Sequence, residues 1–309
     1  MNTEPLVSVV IPVFNGERHL AACLDSILGQ TYGHFDVIVA DQASTDRSVE
    51  IVRSYSDPRI RLLPPPSTQL DLHSNWARSI EASTAELVKL VCQDDVLLPD
   101  CLSIQVDLLR RHPTAVLACG RRRMIDDNHK VLIQARGLGR YARAGTQLVA
   151  GATLARACTR AGANLLGEPV NVLIRRSALP EQLFDPIWVY TIDVEFYLRC
   201  LRDGDAVLDD HVVCCFRVSP SQLSAVLAPG QAKELRALFR ELGRRYPEDI
   251  SPTDVRIGAV RAQLLALARR VLYVQMRASA RLGRSLRRQG LSTDPDGAPR
   301  VPSAPVSAD

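Results

Sequence analysis

The chain predicts an α/β fold, in which a mostly parallel central sheet carries helices on both faces and a helical extension follows at the C-terminus. Two observations lead there. The apolar runs Val7-Ser8-Val9-Val10-Ile11-Pro12-Val13 and Phe35-Asp36-Val37-Ile38-Val39-Ala40 each end in polar residues and flank a segment of helical period, which is the pattern of a βαβ unit with strands covered on both sides. Strand and helix patterns then alternate to about residue 120, which requires crossovers and hence parallel pairing. Such sheets bind ligands outside the carboxyl ends of their strands. The polar residues that close each strand are therefore the first candidates for a site, and a nucleotide is the natural guest.

In order along the chain, residues 17–31 place Leu20, Cys23, Leu24, Ile27 and Leu28 on one stripe of a helix lying against the sheet. Ser44 or Asp46 caps a second helix through Val49, Ile51 and Val52. Ile60-Arg61-Leu62-Leu63 is a third strand, stopped by Pro64-Pro65-Pro66. A polar loop runs to Asn75, before a helix over residues 76–82. The strand Leu87-Val88-Lys89-Leu90-Val91-Cys92 leads directly into Gln93-Asp94-Asp95, and Pro99 opens a helix through Leu102, Val106 and Leu109. Residues 121–167, rich in Arg, Gly and Ala, read as an irregular excursion with a short helix at 148–158. Order returns at 169–174, in a helix over 193–202 and in a strand ending near Phe216. After residue 230 the pattern is helical only, and from Pro295 the mixture of Pro, Ala, Ser and Asp reads as a disordered tail. The expected division is an α/β domain over 1–225, with one half to about 120 and a second from 121, then a helical extension over 226–292 and a tail over 293–309.

Bulk properties exclude several classes. A net charge of +4 with aromatics at 5% supplies neither the basic field nor the stacking platforms of a nucleic-acid binder. Eight cysteines without a C-x-x-C pair read as buried thiols in a reducing compartment. With no signal-peptide pattern at the N-terminus, the cytoplasm is the expected location. No apolar run approaches the roughly 18 residues of a membrane span.

The residues themselves suggest a chemistry. Asp94-Asp95 at a strand end offers hard oxygen ligands of the kind that hold phosphate-bridging divalent cations, or else caps the next helix. Asp41 can accept hydrogen bonds from a base or ribose, or serve as a turn residue. Asp193 and Glu195, two positions apart near a helix start, lie on different faces, so that one can enter a site while the other meets solvent. The six histidines show no ligand spacing, nothing forms a Ser/His/Asp set, and no G-x-G-x-x-G follows the first strand, which argues against a nicotinamide dehydrogenase.

Together, Val7-Ser8-Val9-Val10-Ile11-Pro12-Val13-Phe14-Asn15, Leu24-Asp25-Ser26-Ile27-Leu28-Gly29-Gln30-Thr31-Tyr32 and Ala40-Asp41-Gln42-Ala43-Ser44-Thr45-Asp46 resemble, in order and spacing, the family 2 glycosyltransferases of the Rossmann-like GT-A fold, over roughly residues 6–225. The resemblance implies an inverting transferase that moves a sugar from a nucleotide-diphosphate sugar to a glycan or lipid-linked acceptor in cell-surface polysaccharide or glycolipid synthesis. It implies that Pro12, Phe14, Asn15 and Asp41 bind the donor, and that Asp94, with Asp95 beside it, holds Mg²⁺ or Mn²⁺. The segment 191–199 resembles the Glu-Asp-x-Asp-Leu-Trp-Leu-Arg element, which makes Asp193 the general base, with Glu168 and Glu195 on the acceptor side. The chain departs from the family at Cys92, Gln42 and Ala43, and at Arg217-Val218-Ser219, where a late His is common. That implies weaker metal binding, with Arg217 sharing the phosphate charge on the donor side. Two other readings are a nucleotide-sugar-binding homologue without turnover and, last, a nucleotidyltransferase.

Between Val255 and Gly290 the chain has nine arginines and no acid, with Arg270, Arg277, Arg281, Arg284 and Arg288 beside an apolar stripe of Leu264, Leu267, Val271, Val274 and Leu282. Such a helix suits either an anionic membrane surface, with the protein peripheral to it, or packing on the domain with a solvated basic face.

Overall fold

The computed structural model describes residues 5–141, 145–219, 227, 230–268 and 270. Its centre is β1 (Val7–Val13), buried along its whole length because the strand is sandwiched between two apolar layers. It pairs in parallel with β2 (Phe35–Asp41) on one side and β4 (Leu87–Leu90) on the other, and β3 (Ile60–Leu62) extends β2 outward. Alternation along β1 assigns Val7, Val9, Ile11 and Val13 to one core and Val10 to the other. The first core is roofed by α1 (Leu20–Leu28) and α4 (Cys101–Arg111), and the second by α3 (Leu72–Glu81) and α6 (Ile192–Cys200).

The sheet runs β3-β2-β1-β4-β9-β6-β10-β5. β9 (Val172–Arg175) is antiparallel to both β4 and β6 (Ala115–Ile125), so it joins two parallel halves. β6 lies parallel to β10 (Asp205–Arg217), and the short β5 (Val96–Leu97) pairs antiparallel with the end of β10. The mostly parallel sheet with helices on both faces is therefore observed.

Several boundaries differ from the sequence reading. Residues 121–167 are not an irregular excursion. β6 runs on through Ile125, turns back as β7 (Val131–Arg136), and β8 (Gln147–Ala150) pairs with β10 before α5 (Gly151–Ala161) begins. Gly151 allows that junction, because a Cβ there would lie 1.9 Å from the Leu201 carbonyl oxygen. α3 starts at Leu72 and not at Trp76, because the Asp71 carboxylate accepts the Ser74 N–H at 2.7 Å and caps the helix. The second helix is α2 (Ser48–Arg53), with Asp46 Oδ1 accepting both the N–H and the hydroxyl of Ser48.

Beyond residue 230, α7 (Gln231–Arg245) sends Leu235, Leu238, Phe239 and Leu242 into the same core as α3 and α6. The helical extension thus shares the core of the α/β unit. A last helix, α8 (residues 252–268), lies against α5. The tail from residue 293 and most of the arginine-rich segment fall outside the described residues.

Candidate active site

The register of β1 on β2 ends with Val13 beside Asp41, so the loops that leave the two strands emerge side by side. Asn15, at φ +49, accepts the Thr45 N–H at 2.9 Å through its side-chain oxygen, and its own N–H donates to Ser44 Oγ at 2.9 Å. Asparagine tolerates that left-handed conformation better than most residues. Asp41 is buried, and its two oxygens accept the Ser44 N–H and hydroxyl at 3.0 and 2.5 Å. Ala43 sits at φ +60, where a glycine would be unstrained. Gln42 donates to the Leu70 carbonyl and so ties down the loop before α3. Pro12 is a buried strand residue opposite Ala40, whereas the Phe14 ring stands out at 40% exposure. A flat, exposed ring beside a buried carboxylate can hold a base by stacking and by hydrogen bonding.

The loop after β4 closes onto this platform. Gln93 Oε1 accepts the Phe14 N–H at 2.7 Å, and its Nε2 returns a bond to the Phe14 carbonyl at 2.9 Å. Gly16 keeps this approach open, since a Cβ there would sit 2.7 Å from the Gln93 amide. Asp94 is partly exposed beside Gln93, whereas Asp95 is fully buried. Asp95 Oδ1 accepts the Arg217 N–H at 2.9 Å and Oδ2 has no partner. Burial, and then the Asp94 charge, push the Asp95 carboxyl well above the usual carboxylate range.

Arg217 was expected to share the donor's phosphate charge, but its side chain is spent inside the protein. It is fully buried, Nε donates to the Asp94 carbonyl at 2.8 Å, Nη1 donates to the Asp126 carbonyl at 2.6 Å, and Nη2 lies 3.4 Å from the His129 ring. It fastens the β6–β7 turn to the Asp94 loop. Asp127 of that turn reaches back to Arg18 at 3.1 Å, His19 at 3.3 Å and Ser219 at 3.3 Å.

On the other side of the crevice Asp193, in the first turn of α6, accepts Asn164 Nδ2 at 2.9 Å and the Val194 N–H at 2.7 Å. Burial and then the Glu168 charge raise its pKa to about 7. Glu168 pairs with the buried Arg122, whose guanidinium occupies space left by Gly137 and Gly167, both at positive φ. The Tyr197 hydroxyl, one turn along α6, is buried without a partner, near the acidic groups of Asp193 and Glu168. Cys92, raised well above its ordinary value by burial, also feels Asp95, Asp94 and Asp193, so both acidic groups lie around it.

Glu195 does not meet solvent as expected. It is 5% exposed and bound to Arg199 at 2.8 Å and Arg245 at 4.0 Å, which joins α6 to α7 and keeps it apart from the Asp193 cluster. Sequence reasoning missed Asn164 and Arg122, which belong to no local motif, and gave no role to Gln93 and Tyr197, which lie within the 93–95 and 191–199 segments but take their places only through the fold.

A model of the family described as Glycosyl transferase family 2 matches residues 8–180. The chain belongs to that family. This glycosyltransferase is 32% identical over 268 residues to the protein MT1568 of Mycobacterium tuberculosis, covering 83% of this chain and 80% of that one. Its fold resembles the mannosyltransferase PcManGT from Pyrobaculum calidifontis, solved with GDP-Man and Mn²⁺, with a TM-score of 0.59 at 20% identity over 90% of this chain and 76% of that one. It also resembles S. aureus TarS residues 1–349 in complex with UDP-GlcNAc, with a TM-score of 0.58 at 16% identity. There the match covers 77% of this chain and 65% of the TarS chain. The chain thus shares the GT-A architecture of these two structures.

Among the described residues, two places offer ligands to a divalent cation. Asp94-Asp95 does so at the crevice, and the orphaned Asp95 Oδ2 together with an oxygen-only donor set fits a hard ion. Among the described residues, Asp209, Asp210 and His211 also bring ligand atoms within 4.8 Å of one another, at a bulge in the middle of β10. There Asp209 is already held by Thr146 at 2.6 Å and by the His211 N–H at 3.0 Å. No helix among the described residues is long and apolar enough to cross a membrane.

Proposed function

We propose that the transferase moves a sugar from a nucleoside diphosphate donor to an acceptor hydroxyl in one displacement, inverting the anomeric centre. One observation carries this reading: the Asp193 carboxyl, with a pKa of about 7, shares the surroundings of Cys92 with Asp94 and Asp95. A carboxyl tuned to the working pH is suited to take a proton from the attacking hydroxyl. Asp41 and Phe14 would hold the base, with Pro12 and Asn15 shaping the loop beneath it. Asp94, backed by Asp95, would hold Mg²⁺ or Mn²⁺, which when bound neutralises charge on the leaving diphosphate. Arg217 and Gln93 keep that loop in place. Glu168, anchored by Arg122, would accept a hydrogen bond from the acceptor, and Glu195 orients α6 from behind.

UDP-GlcNAc and GDP-Man in the fold neighbours support a nucleotide-sugar donor. The acceptor is proposed to be a glycan or a lipid-linked hydroxyl in envelope polysaccharide or glycolipid synthesis, reached from the cytoplasmic side. The test is a panel of nucleotide sugars with Mg²⁺ or Mn²⁺, scored by thermal shift and by donor consumption. For the active donor, NMR of the product reads the anomeric configuration. Retention of configuration, or no stabilisation by any nucleotide sugar, would overturn the proposal.

A further inference from the structure

α8 is fixed in rotation by its own sequence. Ser251 and Asp254 form a reciprocal cap, with Ser251 Oγ accepting the Asp254 N–H at 3.1 Å while Asp254 Oδ2 accepts the Ser251 hydroxyl at 2.8 Å. Asp254 also pairs with Arg160 at 2.7 Å and Arg156 at 3.0 Å on α5. One turn further, Gly258 lies so close to α5 that a Cβ would come 1.9 Å from the Thr159 carbonyl oxygen. Ala262 and Ala266 continue this buried small-residue face. With that face against α5, the opposite one must point outward.

The outward face is apolar. Val260, Leu264 and Leu267 are 62%, 61% and 61% exposed, and at ~100° per residue they fall within a ~60° arc. Arg256 borders the arc on one side and Arg261 on the other, both exposed. A contiguous apolar patch of a few hundred Å² on a soluble protein is often functional. We infer that this face of α8 docks on an anionic lipid surface, with the leucines and valine entering the headgroup boundary and the arginines meeting lipid phosphates. Charge decides the occupant. Arg256 and Arg261 flank the arc, so two copies of this face would bring like charges together. The patch amounts to roughly 300 Å², against about 800 Å² per partner in a stable dimer. A nucleic acid would use the charge but not the aliphatic arc.

The inference is independent of the donor chemistry proposed above. Full-length protein is floated with vesicles of phosphatidylcholine alone and with phosphatidylglycerol added. Recovery should require the anionic lipid, and high salt should weaken it. Leu264→Glu with Leu267→Glu should cut recovery at least about tenfold while thermal unfolding and transfer to a water-soluble acceptor stay unchanged. Equal recovery on neutral vesicles, no recovery on either, or undiminished flotation of the double variant would overturn the inference. So would a wild-type dimer by light scattering that the double variant converts to monomer.

Discussion

Asp193 illustrates how position creates reactivity. An aspartate near a helix start is ordinarily ionised, but burial and the neighbouring Glu168 raise this one to about 7. The acid limb of the kcat/KM profile should therefore rise through pH ~7, as Asp193 loses its proton and becomes a base. Asp193→Asn should lower single-turnover transfer by about 10²–10⁴-fold and leave nucleotide affinity unchanged. Wild-type turnover in that variant would remove the assigned base. The same raised pKa acts on stability. The folded state holds this proton more tightly than the unfolded chain, so the contribution is present at low pH and is lost as pH rises toward 7. Denaturant titrations of Asp193→Asn should show that loss abolished. Asp94 is read out differently. Asp94→Ala should remove the dependence of donor binding on Mg²⁺ or Mn²⁺, checked by nucleotide titration with and without chelator. Tyr197→Phe should raise the thermal midpoint, because it deletes a buried hydroxyl that has no partner, a group that costs about 1–3 kcal/mol.

At the level of elements, the site depends on ties between segments distant in sequence. Arg217 at the end of β10 holds the Asp94 loop and the β6–β7 turn together, and Glu195 binds α6 to Arg245 of α7. α8 is tied to α5 through Asp254 as well as through its small-residue face, and the Asp254 carboxyl is held down at about 2, against the pull of burial, by Arg160, Ser251 and Arg156. For a depressed carboxyl the stabilisation is present above its unfolded value near 3.8 and fades as pH falls toward 2. Asp254→Asn should cost about 1–2 kcal/mol at neutral pH. The gap to wild type should close in acid, which chemical denaturation at pH 7 and near pH 2.5 would resolve as a difference in midpoints.

For the whole molecule, the helices after residue 230 belong to the core of the α/β unit. Phe239 is fully buried with Leu238 in the cluster that contains Phe196 and Trp76, and Phe196 follows Asp193 on α6. Phe239→Ala should destabilise the protein by about 3–5 kcal/mol. A chain cut after residue 225 should lose its cooperative thermal transition. If the truncated chain unfolds at the wild-type temperature, α7 contributes no core.

By itself the sequence determined the strands and helices up to residue 120 and the family, because the period of apolar residues and the Val7–Asn15 and Ala40–Asp46 motifs are local patterns. It also singled out Asp41, Asp94 and Asp193 as candidates, each at an element boundary. Only the tertiary structure decided that Arg121-Arg122-Arg123 is strand, with Arg122 buried against Glu168, since a basic run reads as surface until its partner 46 residues away is in place. The same holds for Arg217. Its motif position suggested contact with phosphate, and its neighbours made it an internal tie instead. Burial and pairing depend on long-range packing, which no window of adjacent residues contains.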